Sequence, residues 1–314
     1  MDPEQHHTEF LHQAVKLGIS TDGRTARDVA LDLIKTPIEK IRDLSMPGAP
    51  CSRSELVPAD DWATMRHARH AVPNPWLESQ LLGSCTYDGS ISYMVALGQE
   101  RKGLAKVFQA ICNSRMKNPT ALLDIYNISR DDPDSEALEK ICQVVTDLGF
   151  FNAAISHAMG AEFHTDTYVQ LFDIPNPFPG LLAPGKFATH TWDITALLGP
   201  YDHLVPSKDL EIIQKWTDLI IDYCYTGSCP CGAWSRDGLS TLNVSNAGLQ
   251  CQGKHEMAAA RASKLMNLAE EEGGDSGADV LWDEVVRFFL KTGNPRYAHE
   301  AEELLSKVIV HDEL

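Results

Sequence analysis

The sequence predicts a mixed α/β fold, and three stretches carry that prediction. "DTYVQLFDIPNPFPG" (166–180) alternates β-rich side chains and then enters a proline-laden loop, the pattern of a strand. "GLAKVFQAICNSR" (103–115) and "SEALEKICQVVTDLGFFNAAISHAM" (135–159) repeat apolar residues three and four apart, the pattern of helices. "WLESQLLGSCTYDGSISYM" (76–94) runs apolar into Tyr-Asp-Gly, as a strand that ends and turns would. Helices covering both faces of a few nonlocal strands imply a layered α/β sheet.

The remaining elements follow in chain order. Thr25 is a candidate N-cap with Asp28 in the first turn behind it, and Val29, Ala30, Leu33 and Ile34 form the apolar stripe of a short helix. Thr36 and Pro37 end that helix and start another, with Ile38, Ile41 and Leu44 as its stripe. Residues 46–61, "MPGAPCSRSELVPADD", read as a loop. Beyond Cys231 comes a polar loop with a short strand at "STLNV" (240–244). Two helical stretches follow, "KHEMAAARASKLMNLAEEE" (254–272) and "ADVLWDEVVRFFLKTG" (278–293). No internal repeat or low-complexity tract is present.

Composition narrows the function classes. The 314 residues carry a formal charge of −17, with 43% hydrophobic and 23% charged residues, as an ordinary globular protein does. Nucleic-acid affinity comes from Lys and Arg displacing phosphate counterions, and no basic stripe is visible, so nucleic acid is not an expected partner. An anionic membrane surface is disfavoured for the same reason. No stretch approaches the ~18 apolar residues of a membrane span. The first residues, "MDPEQHHTEFLHQAVKLG", lack the basic and apolar regions of a secretory leader, whereas the last four, "HDEL" (311–314), match a retention address of the endoplasmic reticulum. As written the chain starts in the cytosol, and the address suits a longer parent. Eight cysteines are too scattered for a disulfide scaffold or a zinc ribbon. Only Cys224, Cys229 and Cys231 cluster, which leaves free thiols, a local disulfide or a thiol or metal module as readings of that segment.

Histidine chemistry centres on "KFATHTWDITALLGPYDHL" (186–204), where His190 stands three residues before Asp193 and ahead of an apolar run. Taken alone, a histidine near a strand end is a hydrogen-bonded structural residue, and Tyr87-Asp88-Gly89 is a hairpin turn.

Five blocks change that balance. "LGISTDGRTARDVALDLIKTPIEKI" (17–41), the 76–93 run, "DTYVQLFDIPNPF" (166–178), "KFATHTWDITALLGP" (186–200) and "WTDLIIDYCYTG" (216–227) resemble, in order and spacing, the C-terminal half of type B carboxylesterases. These are the α/β-hydrolases that include cholinesterases and many fungal esterases. The resemblance is strongest over residues 10–230, and 231–314 is a mostly helical remainder of one partial domain. It implies the C-terminal part of a three-layer α/β-hydrolase fold that hydrolyses small-molecule carboxylic esters without a cofactor. The family's acid lies in a Gly-x-x-x-x-acid-Gly turn, matched by Gly83 to Gly89 with Asp88 in place of the usual Glu. Its base lies in a His-x-x-Glu stretch, matched by His190 with Asp193 in place of Glu. His190 would take a proton from serine and return it to the leaving alcohol, with Asp88 fixing its tautomer.

The serine itself is missing from the pattern. The family's nucleophile sits in a Gly-x-Ser-x-Gly elbow ahead of the acid, and no such pentapeptide occurs in these 314 residues. "GISTDG" (18–23) misses by one residue, and Ser276 in "GGDSGAD" follows His190 and stands between two helical stretches, as an N-cap in a linker would. The expectation is therefore a fragment that carries Asp88 and His190 and is inactive alone. A sheet cut through its middle would expose an edge strand through which copies self-associate. The alternative is a noncatalytic binding protein, a pseudoenzyme that uses the same fold for contacts.

Overall fold

The computed structural model describes residues 3–42, 77–96, 102–162, 165–180 and 182–293. The predicted loop at 46–61, Leu44 and the HDEL tail lie outside the described residues. The chain divides into two compact units, Met1–Asp60 and Asp61–Leu314.

The first unit holds helices α1 (Pro3–Lys16), α2 (Ala26–Ile34) and α3 (Ile38–Arg42). Thr25 caps α2 as expected: its backbone is extended and its hydroxyl accepts the Asp28 N–H at 3.2 Å. Pro37 precedes α3, where its missing N–H costs nothing. The predicted stripe is only partly used. Val29 is fully buried, but Ile34 and Ile38 stand exposed. Arg24 reaches Asp32 at 2.8 Å, and this hydrogen bond, followed by one from Lys35, holds the Asp32 carboxyl below its ordinary value.

The second unit is built on a four-stranded sheet: β1 (Ser79–Cys85), β2 (Asp166–Asp173), β3 (Thr241–Ser245) and β4 (Gly248–Gln252), ordered β1-β2-β3-β4. The first three strands are parallel and β4 returns antiparallel through Asn246 and Ala247. Parallel neighbours need long crossovers, and helices supply both of them. Between β1 and β2 run α4 (Ile91–Ala96), α5 (Leu104–Arg115), α6 (Pro119–Tyr126), α7 (Asp134–Val145) and α8 (Asn152–Ala161). Between β2 and β3 run α9 (Trp192–Leu198) and α10 (Ser207–Thr226). After β4 come α11 (Lys254–Ala259), α12 (Arg261–Gly273) and α13 (Gly277–Gly293).

The period of two divides the sheet cleanly between two cores. Cys85, Tyr168, Phe172, Leu242 and Val244 face Trp192, Ile213 and Trp216. Gln170 sits on that face too, and the Trp216 indole donates to its Oε1 at 3.0 Å, so the buried amide oxygen is satisfied. On the opposite face Val169 and Leu171 pack with Phe151, Ala158, Trp234 and Met257. A third core lies among the helices, with Phe108, Ile111, Leu122, Ile141, Leu148 and Phe288 at its centre. Among the described residues β1 is hydrogen-bonded on one side only.

The structure departs from the sequence expectation in three places. The stretch 135–159 is helical throughout, but Thr146–Phe151 forms a π turn between α7 and α8. The stretch 254–272 is broken at Ala260, whose backbone is extended (φ −66°, ψ 148°), and Arg261 beside the break reaches Asp147 at 2.7 Å. β4 is a strand beyond the sequence expectation, five residues long and partly to largely exposed; Gly248 at φ 106° permits the turn, and a Cys231–Cys251 disulfide ties the strand to the preceding loop.

Candidate functional site

The site forms where β1 and β2 end side by side. Beyond Cys85 the chain continues the ladder for two residues, with the Thr86 N–H bonded to Phe172 O and the Tyr87 N–H to Ala188 O. It then tightens into a 3-10 turn, Asp88–Ser90, which leads into α4 and does not return as a hairpin. The turn fits under α7 only because residue 89 is glycine: a Cβ there would stand 1.8 Å from the Cys142 carbonyl oxygen. At this contact the Gly89 N–H donates to Thr146 Oγ1 at 2.9 Å, and Thr146 Oγ1 donates to Cys142 O. The π turn that begins at Thr146 thus holds the turn that carries Asp88.

His190 arrives from β2. The loop after the strand is closed by Asn176 N–H to Phe187 O at 2.8 Å, and its last residues lie beside Tyr87 through a parallel bridge to Thr189. The His190 N–H then donates to Ser90 Oγ at 2.8 Å. Thr191 follows at φ 64°, a left-handed conformation that strains a β-branched residue and turns the chain into α9.

These constraints bring the two predicted residues together. His190 Nδ1 lies 2.9 Å from Asp88 Oδ1, while Asp88 Oδ2 accepts the Cys85 N–H at 2.7 Å. Asp88 is 5% exposed, and burial raises its pKa; the hydrogen bond from His190 and then that from Cys85 work against the rise. With Asp88 ionised, Nδ1 carries the proton and Nε2 presents a lone pair. Among the described residues only Asp88 bonds the ring, which is 31% exposed on its side chain and lies 5.3 Å from the Phe150 ring. The ring is thus oriented through one nitrogen and remains partly exposed.

A cleft of about 320 Å³ opens beside His190, lined by Phe178, Trp192, Tyr201 and Leu204. The Phe178 ring meets those of Trp192 and Tyr201 edge-on at 5.4 and 5.6 Å. This wall is apolar, and the buried Trp192 indole N–H has no acceptor among the described residues. No local pattern in the sequence marks this wall, because its aromatics come from two separate loops and a helix.

The other candidates lie elsewhere. Asp193 acts on Cys85, whose thiol is pushed up first by burial and then by the charges of Asp88 and Asp193. Ser276 stands exposed in the 3-10 turn Gly274–Ser276 between α12 and α13, so it is a linker residue. The cysteine cluster does not act as a set: Cys231 pairs with Cys251, Cys229 is a buried thiol and Cys224 an exposed one. No group of three metal-ligating side chains occurs among the described residues, and no described helix is long and apolar enough to cross a membrane.

No family model matches the chain, and no curated protein matches it in sequence. Its fold does match solved structures. A PNB esterase aligns with a TM-score of 0.53 and 16% identity over 84% of this chain and 54% of its own. A second PNB esterase structure gives 0.53 and 15%, over 85% and 55%. A thermophilic PNB esterase gives 0.54 and 16%, over 84% and 55%. The chain thus has the α/β-hydrolase fold of these esterases and spans about half their length.

Proposed function

We propose that this chain carries the acid and base of a Ser-His-acid carboxylic ester hydrolase, Asp88 as the acid and His190 as the base, and that the serine belongs to residues not among these 314. The observation that supports this most directly is the 2.9 Å contact between His190 Nδ1 and Asp88 Oδ1 at the ends of two adjacent parallel strands. The order of acid before histidine, and the fold shared with esterases, agree with it.

In the proposed reaction Asp88 holds His190 as the Nδ1–H tautomer, so that Nε2 accepts the serine proton as the hydroxyl attacks the ester carbonyl. Asp88 then stabilises the imidazolium, and His190 returns the proton to the leaving alcohol. The aromatic cleft beside His190 takes an apolar part of a small-molecule ester. This chemistry needs no cofactor. Alone, the chain is expected to be inactive, since loss of a triad serine costs about 10⁶ in kcat. Its β1 edge, unpaired among the described residues, would serve self-association.

A second reading, a noncatalytic binding protein of the same fold, is favoured by the lack of a Gly-x-Ser-x-Gly sequence in the chain. Sequencing the transcript 5′ of the Met1 codon separates the two. An in-frame elbow and glycine-rich oxyanion loop, joined to a product whose ester turnover is abolished by His190→Ala, supports the hydrolase. An unrelated stop codon there transfers support to the binding protein.

A further inference from the structure

Away from His190, the described residues line a partly open cavity of about 480 Å³ on the sheet face opposite Trp216. This falls within the ~300–1,000 Å³ of small-molecule sites. Ile155 and Met159 of α8, Leu239 before β3, and Met257 and Met266 of α11 and α12 give it an apolar lining. Three methionines make that lining soft enough to adapt to a guest.

Two features set this cavity apart from a packing fault. Trp234 lines it, is 4% exposed, and is fixed by a 2.7 Å bond from its backbone N–H to Thr167 O. Its indole N–H is nevertheless buried with no acceptor among the described residues. A buried donor without a partner costs free energy that an incoming acceptor recovers. Leu239, another lining residue, is held at φ 49°, a left-handed conformation that strains a side chain with a Cβ and is retained mainly where a site requires it.

The rim defines the charge of the guest. Lys254 and Arg236 stand there with Glu270 and Asp275, and Arg236 is 3.2 Å from the Glu162 carboxylate. With both signs present in equal number, the rim does not select an ion. We propose that the cavity binds a neutral, largely apolar carbonyl compound whose oxygen accepts the Trp234 indole N–H. This site is separate from the cleft at His190, and binding there requires neither the serine nor the acid and base.

The test is calorimetric titration of the purified chain with two near-isosteric probes, 2-acetonaphthone and 2-ethylnaphthalene, which differ by one carbonyl oxygen. The ketone is expected to bind about tenfold more tightly, the worth of one buried hydrogen bond. Trp234→Phe should bring the two affinities within about twofold. Indole ¹H–¹⁵N spectra of the unaltered chain guard against a variant that fails to fold: the ketone should shift the Trp234 resonance downfield and the hydrocarbon should not. Equal affinities, no binding of either probe, or a ketone shift confined to other indoles would each overturn the proposal. None of these outcomes bears on the hydrolase reading, because neither probe is an ester.

Discussion

Asp88 accepts from two directions, the Cys85 backbone and the His190 ring, and is buried while doing so. Burial lifts its folded-state pKa above the unfolded value of about 3.9, so the ionised carboxylate is less favoured in the folded chain than in the unfolded one. The stabilisation that follows is fully present below the unfolded pKa and is lost as pH rises through the folded one. Asp88→Asn keeps an acceptor for the Cys85 N–H and turns its amide N–H₂ toward His190. It should therefore gain thermal stability relative to the unaltered chain as pH rises above the usual carboxylate value of about 3.9, and show no such gain below it, as melting curves on either side of that value would show. The same substitution should move the His190 proton from Nδ1 to Nε2, which ¹⁵N spectra of the imidazole report; an unmoved tautomer would contradict the assigned pair. Gly89 shows the steric counterpart. Gly89→Ala places a Cβ against the Cys142 carbonyl and should cost at least about 3 kcal/mol in denaturant titration, the upper end for overpacking, because a backbone oxygen cannot rotate away.

At the scale of elements, the π turn and the broken helix work as a pair. Asp147 lies in the π turn and is buried; it accepts from the Tyr126 hydroxyl at 2.8 Å and from Arg261 at 2.7 and 3.2 Å. Arg261 opens α12, so the break at Ala260 brings the cation to the carboxylate. Burial, and then the Asp147 charge, raise the Tyr126 phenol far above its ordinary value, and the hydroxyl stays a donor. In the β3–β4 hairpin, β3 is anchored in the core by Leu242 and Val244, and the more exposed β4 has a covalent fastening as well. Its disulfide joins residues 20 apart in sequence, and closing a loop of that size is worth about 3 kcal/mol in the chain-entropy account. Cys251→Ser should lower stability by about that amount and raise hydrogen exchange in β4 more than in β2, since β2 is paired on both sides. Equal protection of β4 with and without the disulfide would show that the strand is held by its ladder alone.

For the whole molecule, the decisive fact is extent. The chain has an esterase fold over about half of an esterase's length, and β1, the strand that leads to Asp88, has one paired side among the described residues. The purified chain should give no turnover of p-nitrophenyl acetate above buffer. Measurable hydrolysis that His190→Ala abolishes would refute the proposal that the serine lies elsewhere. Light scattering should find a mass above that of one chain, because an unpaired parallel strand is a template for another strand; a monodisperse monomer would exclude that role for β1.

The sequence by itself determined the elements whose pattern is local. β1, β2 and β3, the cap at Thr25 and the helices between 103 and 159 follow from alternation, from 3.6-residue spacing and from capping chemistry, all set within a few residues. The resemblance of its blocks to a known family also pointed to Asp88 and His190 as a pair, and the fold brings the two side chains to 2.9 Å. Only the tertiary structure decided what depends on distant partners: which cysteine pairs with Cys231, why residue 89 has to be glycine, where a helix widens at Thr146 or breaks at Ala260, and that Trp234 lines a cavity with its indole N–H lacking an acceptor among the described residues. Each of these rests on contacts between segments tens of residues apart. Such contacts leave no periodic trace in the chain, because their free energy depends on packing and not on neighbouring residue types.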